Sequence, residues 1–293
     1  MRLPALPYRG GVVLLAVCAQ LCGCSTSQLV ARGVSPLIDN GLIAMNRETD
    51  LELARVSIPP NLKMIEALLL ADPGNVAYRV QAAMGFYGYA AGFVEDDDPE
   101  RATGLYRRAL DHARAALSAQ GVSATLLAGD PAQLDTALAR LDARAVPSLF
   151  WTASAWAKLI EHQLDDPARL AELPRVEALM RRVLVLDETY YHGGAHVFFG
   201  VYYGGRAPMF GGDFVRAAHH FDEAARISQN RLLLVDVYRA QYLFRQMGER
   251  AAFHAALTQV IDAPASADPD LNLANAIAKK KAGKLLAQEE TLF

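Results

Sequence analysis

Apolar positions recur along this chain at spacings of three and four residues, the period of an amphipathic helix. The clearest run opens at Asp98-Pro99-Glu100, an N-cap residue, a proline in the first turn and an acid at the positive helix end. From there Ala102, Leu105, Tyr106, Ala109, Leu110, Ala113 and Leu117 fall on one face. Similar starts stand at Asp130-Pro131 and Asp213, and alternating strand patterns bounded by tight hairpin turns are missing. The pattern predicts an all-α fold. Helices are expected near 61–71, 76–92, 98–119, 131–142, 147–163, 174–186, 193–204, 212–228, 231–247, 249–261 and 269–289. The short connections between them favour antiparallel neighbours.

An ungapped shift of 115 residues overlays part of the chain on itself. It sets Leu69 on Leu184, Asp72 on Asp187, Gly85 on Gly200, Tyr87 on Tyr202, Asp98 on Asp213, Arg101 on Arg216, Ala102 on Ala217, Tyr106 on Phe221 and Ala109 on Ala224. Small residues where helices meet, with a large ring beside them, suit a degenerate tetratricopeptide-like helix pair, and so a superhelix of such pairs. The copies differ most in their loops. Glu95-Asp96-Asp97 of the first becomes Phe210-Gly211-Gly212 of the second, which points to the second loop as the functional one.

The N-terminus reads as an export signal. Arg2 and Arg9 precede an apolar run from Gly11 to Leu21, too short to span a bilayer, and the run ends in Leu21-Cys22-Gly23-Cys24. That ending resembles a bacterial lipobox, so residues 1–23 are expected as a signal peptide and Cys24 as the lipid-carrying first residue of the mature chain. Ser25 favours the outer membrane by the usual sorting rule. Residues 24–46 are expected as a tether and 47–293 as the helical domain. Cys18, Cys22 and Cys24 are the three cysteines of the chain, so the expected mature domain has no disulfide. A net charge of −3 with no basic patch argues against nucleic acid, and Lys279-Lys280-Lys281 reads as a solvated helix face.

Catalytic chemistry finds little support. His192, His196, His219, His220 and Glu223 include two pairs at four-residue spacing, but H-E-x-x-H is missing, and His220 matches Leu105 of the apolar stripe. No metal site, cofactor site or catalytic residue is assigned. The chain also lacks G-x-S-x-G and a phosphate-cradling glycine loop, so an enzyme is not expected.

Candidate binding residues cluster in two places. Trp151 and Trp156 are five apart on a helix, so one can enter the core while the other borders a cavity. Near the second copy, Tyr203 reads as a pocket residue and Tyr202 as the structural one, because Tyr202 matches Tyr87. Arg206 suits a carboxylate, Met209 and Phe210 are exposed apolar candidates, Gly211 and Gly212 allow unusual backbone, and Asp213 caps the next helix.

Two segments resemble the T-component proteins of tripartite ATP-independent periplasmic (TRAP) transporters. One is Val146-Pro147-Ser148-Leu149-Phe150-Trp151 with Ser154-Ala155-Trp156. The other is His196 to Gly200, Tyr202-Tyr203, then Pro208, Gly211-Gly212-Asp213, Ala217, His220, Phe221 and Ala224. The resemblance implies a non-enzymatic periplasmic lipoprotein that forms a homotrimer and partners a periplasmic solute-binding protein. It also implies a channel for a hydrophobic or amphipathic small molecule. The competing expectation is a tetratricopeptide scaffold for outer-membrane assembly or cell-wall enzymes, which would expose an open groove where a ligand carrier encloses a cavity.

Overall fold

The computed structural model describes residues 26–293. The expected signal peptide and Cys24 lie outside the described residues. Among those described, every regular element is helical. The first helices are α1 (Thr26–Gly33), α2 (Ser35–Asn46), α3 (Leu51–Ala71) and α4 (Val76–Tyr89), the last prolonged by a π turn at Ala90–Val94. There follow α5 (Pro99–Ala119), α6 (Ala124–Ala128), α7 (Pro131–Ala139), α8 (Val146–Glu161), α9 (Pro167–Leu170) and α10 (Leu173–Asp187). The chain ends with α11 (Tyr190–Gly204), α12 (Phe214–Ile227), α13 (Leu234–Arg239, continued by Ala240–Phe244 and Arg245–Met247), α14 (Arg250–Asp262), α15 (Asn272–Ala287) and α16 (Glu289–Leu292).

The starts follow from the caps. Asp98 accepts from Arg101 N at 3.1 Å, Asp213 from Arg216 N at 3.0 Å and Asp130 from Ala132 N at 3.2 Å. Helix α3 begins ten residues earlier than the expected 61, because Asp50 caps it and the helix runs through Pro59 and Pro60. The backbone carbonyls those prolines leave without a helical partner belong to Arg55 and Val56, both exposed residues at which solvent can take the place of the lost donor. Residues 26–46, expected as a tether, are helical where described. The Tyr78 hydroxyl donates to the Ala31 carbonyl, and Arg32 pairs with Asp72 at 2.9 Å.

Helix α8 is the centre of the fold. Apolar on nearly all sides, it is buried along most of its length between α5, α10 and α4. Its neighbour α5 turns the expected stripe inward, burying Ala102, Tyr106, Ala109, Leu110, Ala113 and Leu117. The 115-residue offset corresponds to equivalent packing in the pairs α4/α5 and α11/α12. Ala102 and Ala217, Tyr106 and Phe221, and Ala109 and Ala224 are all fully buried. Gly200 lets α12 approach, since a Cβ there would lie 2.8 Å from the Phe221 ring. The equivalence covers two helix pairs, short of the three or more units that a tetratricopeptide array stacks.

The start of α11 is irregular. Tyr191 (φ 51°), His192 (φ 58°) and Gly193 (φ 80°) form a left-handed turn, and regular helix begins at Gly194. Two non-glycine residues in that region cost roughly 1–2 kcal/mol each. Packing holds the turn: the Tyr191 ring lies 4.9 Å from that of Trp151 and 5.7 Å from that of Phe150, centroid to centroid.

Candidate functional site

Helices from both halves of the chain line a half-open cavity of about 550 Å³. Helices α2 and α3 supply aliphatic side chains such as Leu42, Met45 and Ile58 on one side. Tyr87 of α4, Trp151 of α8, Tyr191, Phe198 and Tyr202 of α11, and Tyr238 of α13 supply rings on the other. The two equivalent tyrosines, Tyr87 and Tyr202, both line this space, so the first helix of each related pair contributes the same residue type to one wall. An aromatic, mostly apolar cavity with a few polar groups is the usual form of a small-molecule site.

Several of its polar groups form one network. Lys158, in the last turn of apolar α8, is 9% exposed and lies 3.2 Å from Glu95 Oε1 and 2.9 Å from Glu161 Oε2. Burial acts to lower its pKa, but Glu161, the Tyr242 hydroxyl and Glu95 outweigh burial and raise it well above the usual lysine value. Burial acts in turn to raise Glu161, which Lys158 and a 2.7 Å hydrogen bond from Tyr242 reverse, leaving it below the ordinary carboxylate range. The Tyr106 hydroxyl donates to Glu95 Oε2. Behind this layer Lys281 pairs with Asp96 at 2.9 Å, and Lys284 with Asp97 at 2.5 Å. Every member is paired, so the cavity wall holds charge at a stability cost that its partners offset.

Two expectations change here. The Lys279-Lys280-Lys281 run is not a solvated face: Lys281 is 7% exposed and lines the cavity. The acidic loop Glu95-Asp96-Asp97, set aside in favour of its counterpart, supplies the carboxylates that hold Lys158, Lys281 and Lys284. The pairing joins positions far apart in the chain, 63 residues for Glu95 with Lys158 and 185 for Asp96 with Lys281.

The remaining candidates separate. Trp151 lines the cavity, whereas Trp156 lies off it, donating through Nε1 to Glu172 at 2.6 Å beneath the Arg114 guanidinium. Tyr202 lines the space, while Tyr203 stacks on Phe199 and His220 away from it. Arg206 reaches the cavity with its guanidinium 3.9 Å above the Tyr202 ring and its Nε donating to the Tyr202 carbonyl at 2.9 Å. Met209 and Phe210 form a short turn on the outside, 83% and 70% exposed.

The glycines explain how the loop is held. Gly211 has φ 83°, and a Cβ on Gly212 would overlap the Arg206 carbonyl oxygen, so the loop folds back tightly on the end of α11. Gly212 N donates to Ala207 O at 3.2 Å and Asp213 N to Tyr203 O at 3.0 Å, fixing the backbone that carries Arg206. His220 meets His196 at 3.0 Å between Nδ1 atoms, with Glu188 3.5 Å from His196 Nε2. Among the described residues no group of three or more His, Cys, Asp or Glu converges as a metal-ligand set.

The family follows from comparison of the whole domain. The model of the TRAP transporter T-component family matches residues 47–293. The chain belongs to that family. It is also similar to an uncharacterised protein of Treponema pallidum (strain Nichols), 24% identical over 313 residues and covering 95% of each chain. As a T-component this protein is an accessory part of a TRAP transporter system. Among its described residues, no helix is long and apolar enough to cross a membrane.

Proposed function

We propose that this T-component is a periplasmic lipoprotein, anchored through Cys24, that docks a periplasmic solute-binding protein and holds a hydrophobic or amphipathic small molecule in its interior. The observation that carries the ligand reading is the cavity itself, about 550 Å³, ringed by tyrosines and Trp151 and made from both halves of the chain. That volume falls within the roughly 300–1,000 Å³ of small-molecule sites. A packed helical protein has no stability reason to leave such a space, because unfilled apolar volume costs contacts. Its aromatic, mostly apolar lining with few polar groups supports ligand carriage over the competing scaffold reading.

Docking is assigned to the outer face of the loop after α11. Met209, Phe210 and Val215, the last 81% exposed, lie close together in the chain where the cavity residue Arg206 is also anchored. Exposed apolar residues grouped in this way mark contact surfaces. Cross-linking of the full-length lipoprotein in living cells, followed by mass spectrometry, tests this. Capture of a solute-binding protein, lost in a Met209→Asp/Phe210→Asp variant of unchanged helicity, supports the docking role. Capture of cell-wall hydrolases or outer-membrane assembly proteins instead overturns it in favour of a scaffold.

A further inference from the structure

Helices α1 and α2 run on almost as one rod. Val34 N donates to Val30 O at 3.2 Å and Ile38 N to Val34 O at 3.2 Å, so the helical ladder crosses the junction and the two share a register. On the inward face Ala31 and Ile38 are buried, and Leu42 and Met45 border the cavity. The outward face is apolar as well. Leu29, Val30 and Leu37 are 66–70% exposed, and Gly33, Pro36 and Ala44 continue the stripe at helical spacing, with Asn40 its one polar member. The stripe cannot turn inward, because the Tyr78 hydroxyl donates to the Ala31 carbonyl and Arg32 pairs with Asp72 at 2.9 Å.

An exposed apolar stripe of this kind marks a contact surface, and the position of the anchor says which contact. Thr26, the first residue of α1, stands two positions after Cys24, and two residues reach at most about 7 Å. That is less than the roughly 10 Å a helix occupies, so with Cys24 acylated no protein layer fits between the start of α1 and the bilayer. We propose that the outward stripe of α1 and α2 lies against the bilayer that holds the anchor, with Leu29, Val30 and Leu37 at the level of the lipid head groups. This rests on the reading that Cys24 carries lipid, and adds that the N-terminal helices set how the domain sits on the membrane. The acyl chains alone fix one point and leave the domain free to swing. At 1.5 Å per residue the stripe from Leu29 to Ala44 is about 22 Å long, enough to fix a direction as well. Leu37 also borders the cavity, so the contact brings one edge of the cavity to the lipid surface.

The test uses the full-length lipoprotein reconstituted in vesicles of phosphatidylethanolamine and phosphatidylglycerol. A polarity-sensitive fluorophore is attached through Leu37→Cys, Ala44→Cys or, for comparison, Val185→Cys, an exposed apolar position on α10. All three sites are exposed, so the substitutions leave the core intact. Spin-labelled lipid in the vesicles then reports contact. The expected result is blue-shifted emission at positions 37 and 44, with quenching at least threefold stronger than at 185. A chain that floats with the vesicles but shows equal quenching at the three positions overturns the bilayer contact and leaves the anchor standing. A blue shift at 37 and 44 without quenching by lipid means that a second copy covers the stripe, and also overturns it. A chain that does not float with the vesicles overturns the anchor reading and this proposal with it.

Discussion

Replacing Lys158 by Met tests whether charge in the cavity wall is buried as the geometry requires. Met keeps the length and apolar stem of the side chain, so packing changes little and the loss is electrostatic. What remains is Glu95 and Glu161 without the cation that lies 3.2 Å and 2.9 Å from them. Removing one partner of a buried pair costs about 3–5 kcal/mol, whereas an exposed pair is worth about 0–1. The lower end applies here, because Glu161 keeps the Tyr242 hydroxyl and Glu95 keeps Tyr106. For a domain of this size, about 3 kcal/mol corresponds to a fall in Tm of roughly 6–12 °C. Adding Glu161→Gln removes one orphaned carboxylate and should recover about half of the loss, giving a coupling energy above 1 kcal/mol in the double-mutant cycle. Thermal and urea unfolding of the four proteins at pH 7 measures it. A single-mutant loss below 1 kcal/mol with additive behaviour would refute the network as a buried unit.

Two further outcomes follow from the second helix pair. Gly212→Ala should lower the Tm by several degrees, since its Cβ overlaps the Arg206 carbonyl and forces the loop off α11; an unchanged Tm would show that the fold-back is loose. His220 is held at about 4 by burial first and then by His196, His219 and Arg216, so the folded state binds fewer protons than the unfolded chain. Its contribution to stability is therefore full above about 6.5 and lost as pH falls toward 4, and His220→Leu, the residue type of the equivalent position, should flatten that fall in Tm between pH 6.5 and 4.

Much of the scaffold was legible because it depends on local signals. The Asp98, Asp130 and Asp213 caps and the stripe from Ala102 to Leu117 are short-range patterns, and the structure places them as expected. The helices through Pro59-Pro60 and over 26–46 were not, because exposed carbonyls tolerate the prolines and long-range contacts such as Arg32 with Asp72 support the N-terminal turns. For the cavity, the motif residues Trp151 and Arg206 were visible, but Tyr87, Tyr238, Tyr242 and Lys281 come from segments that meet only in three dimensions. Lys158 did leave a signal, a lone cation inside the apolar run from Val146 to Ile160. Tyr202 and Tyr203 exchanged roles because repeat equivalence implies a shared environment, and that environment is a cavity wall rather than a packed core.

The central claim is that the interior holds a ligand, and Gly88 offers the cleanest means of closing it. Gly88 lines the cavity from within α4, and a Cβ added there meets nothing within 4 Å, so Gly88→Trp projects an indole from a wall position that accepts a side chain. Helix stability should hold or rise by up to about 0.5 kcal/mol, because glycine is the poorest ordinary helix former. The decisive measurement is native mass spectrometry of the full-length protein released from its own membranes, wild type against Gly88→Trp. The account predicts a bound amphiphile on the wild type and at least tenfold lower occupancy on the variant at an equal unfolding midpoint; equal occupancy, or a wild type that carries nothing even after incubation with amphiphiles, would contradict it.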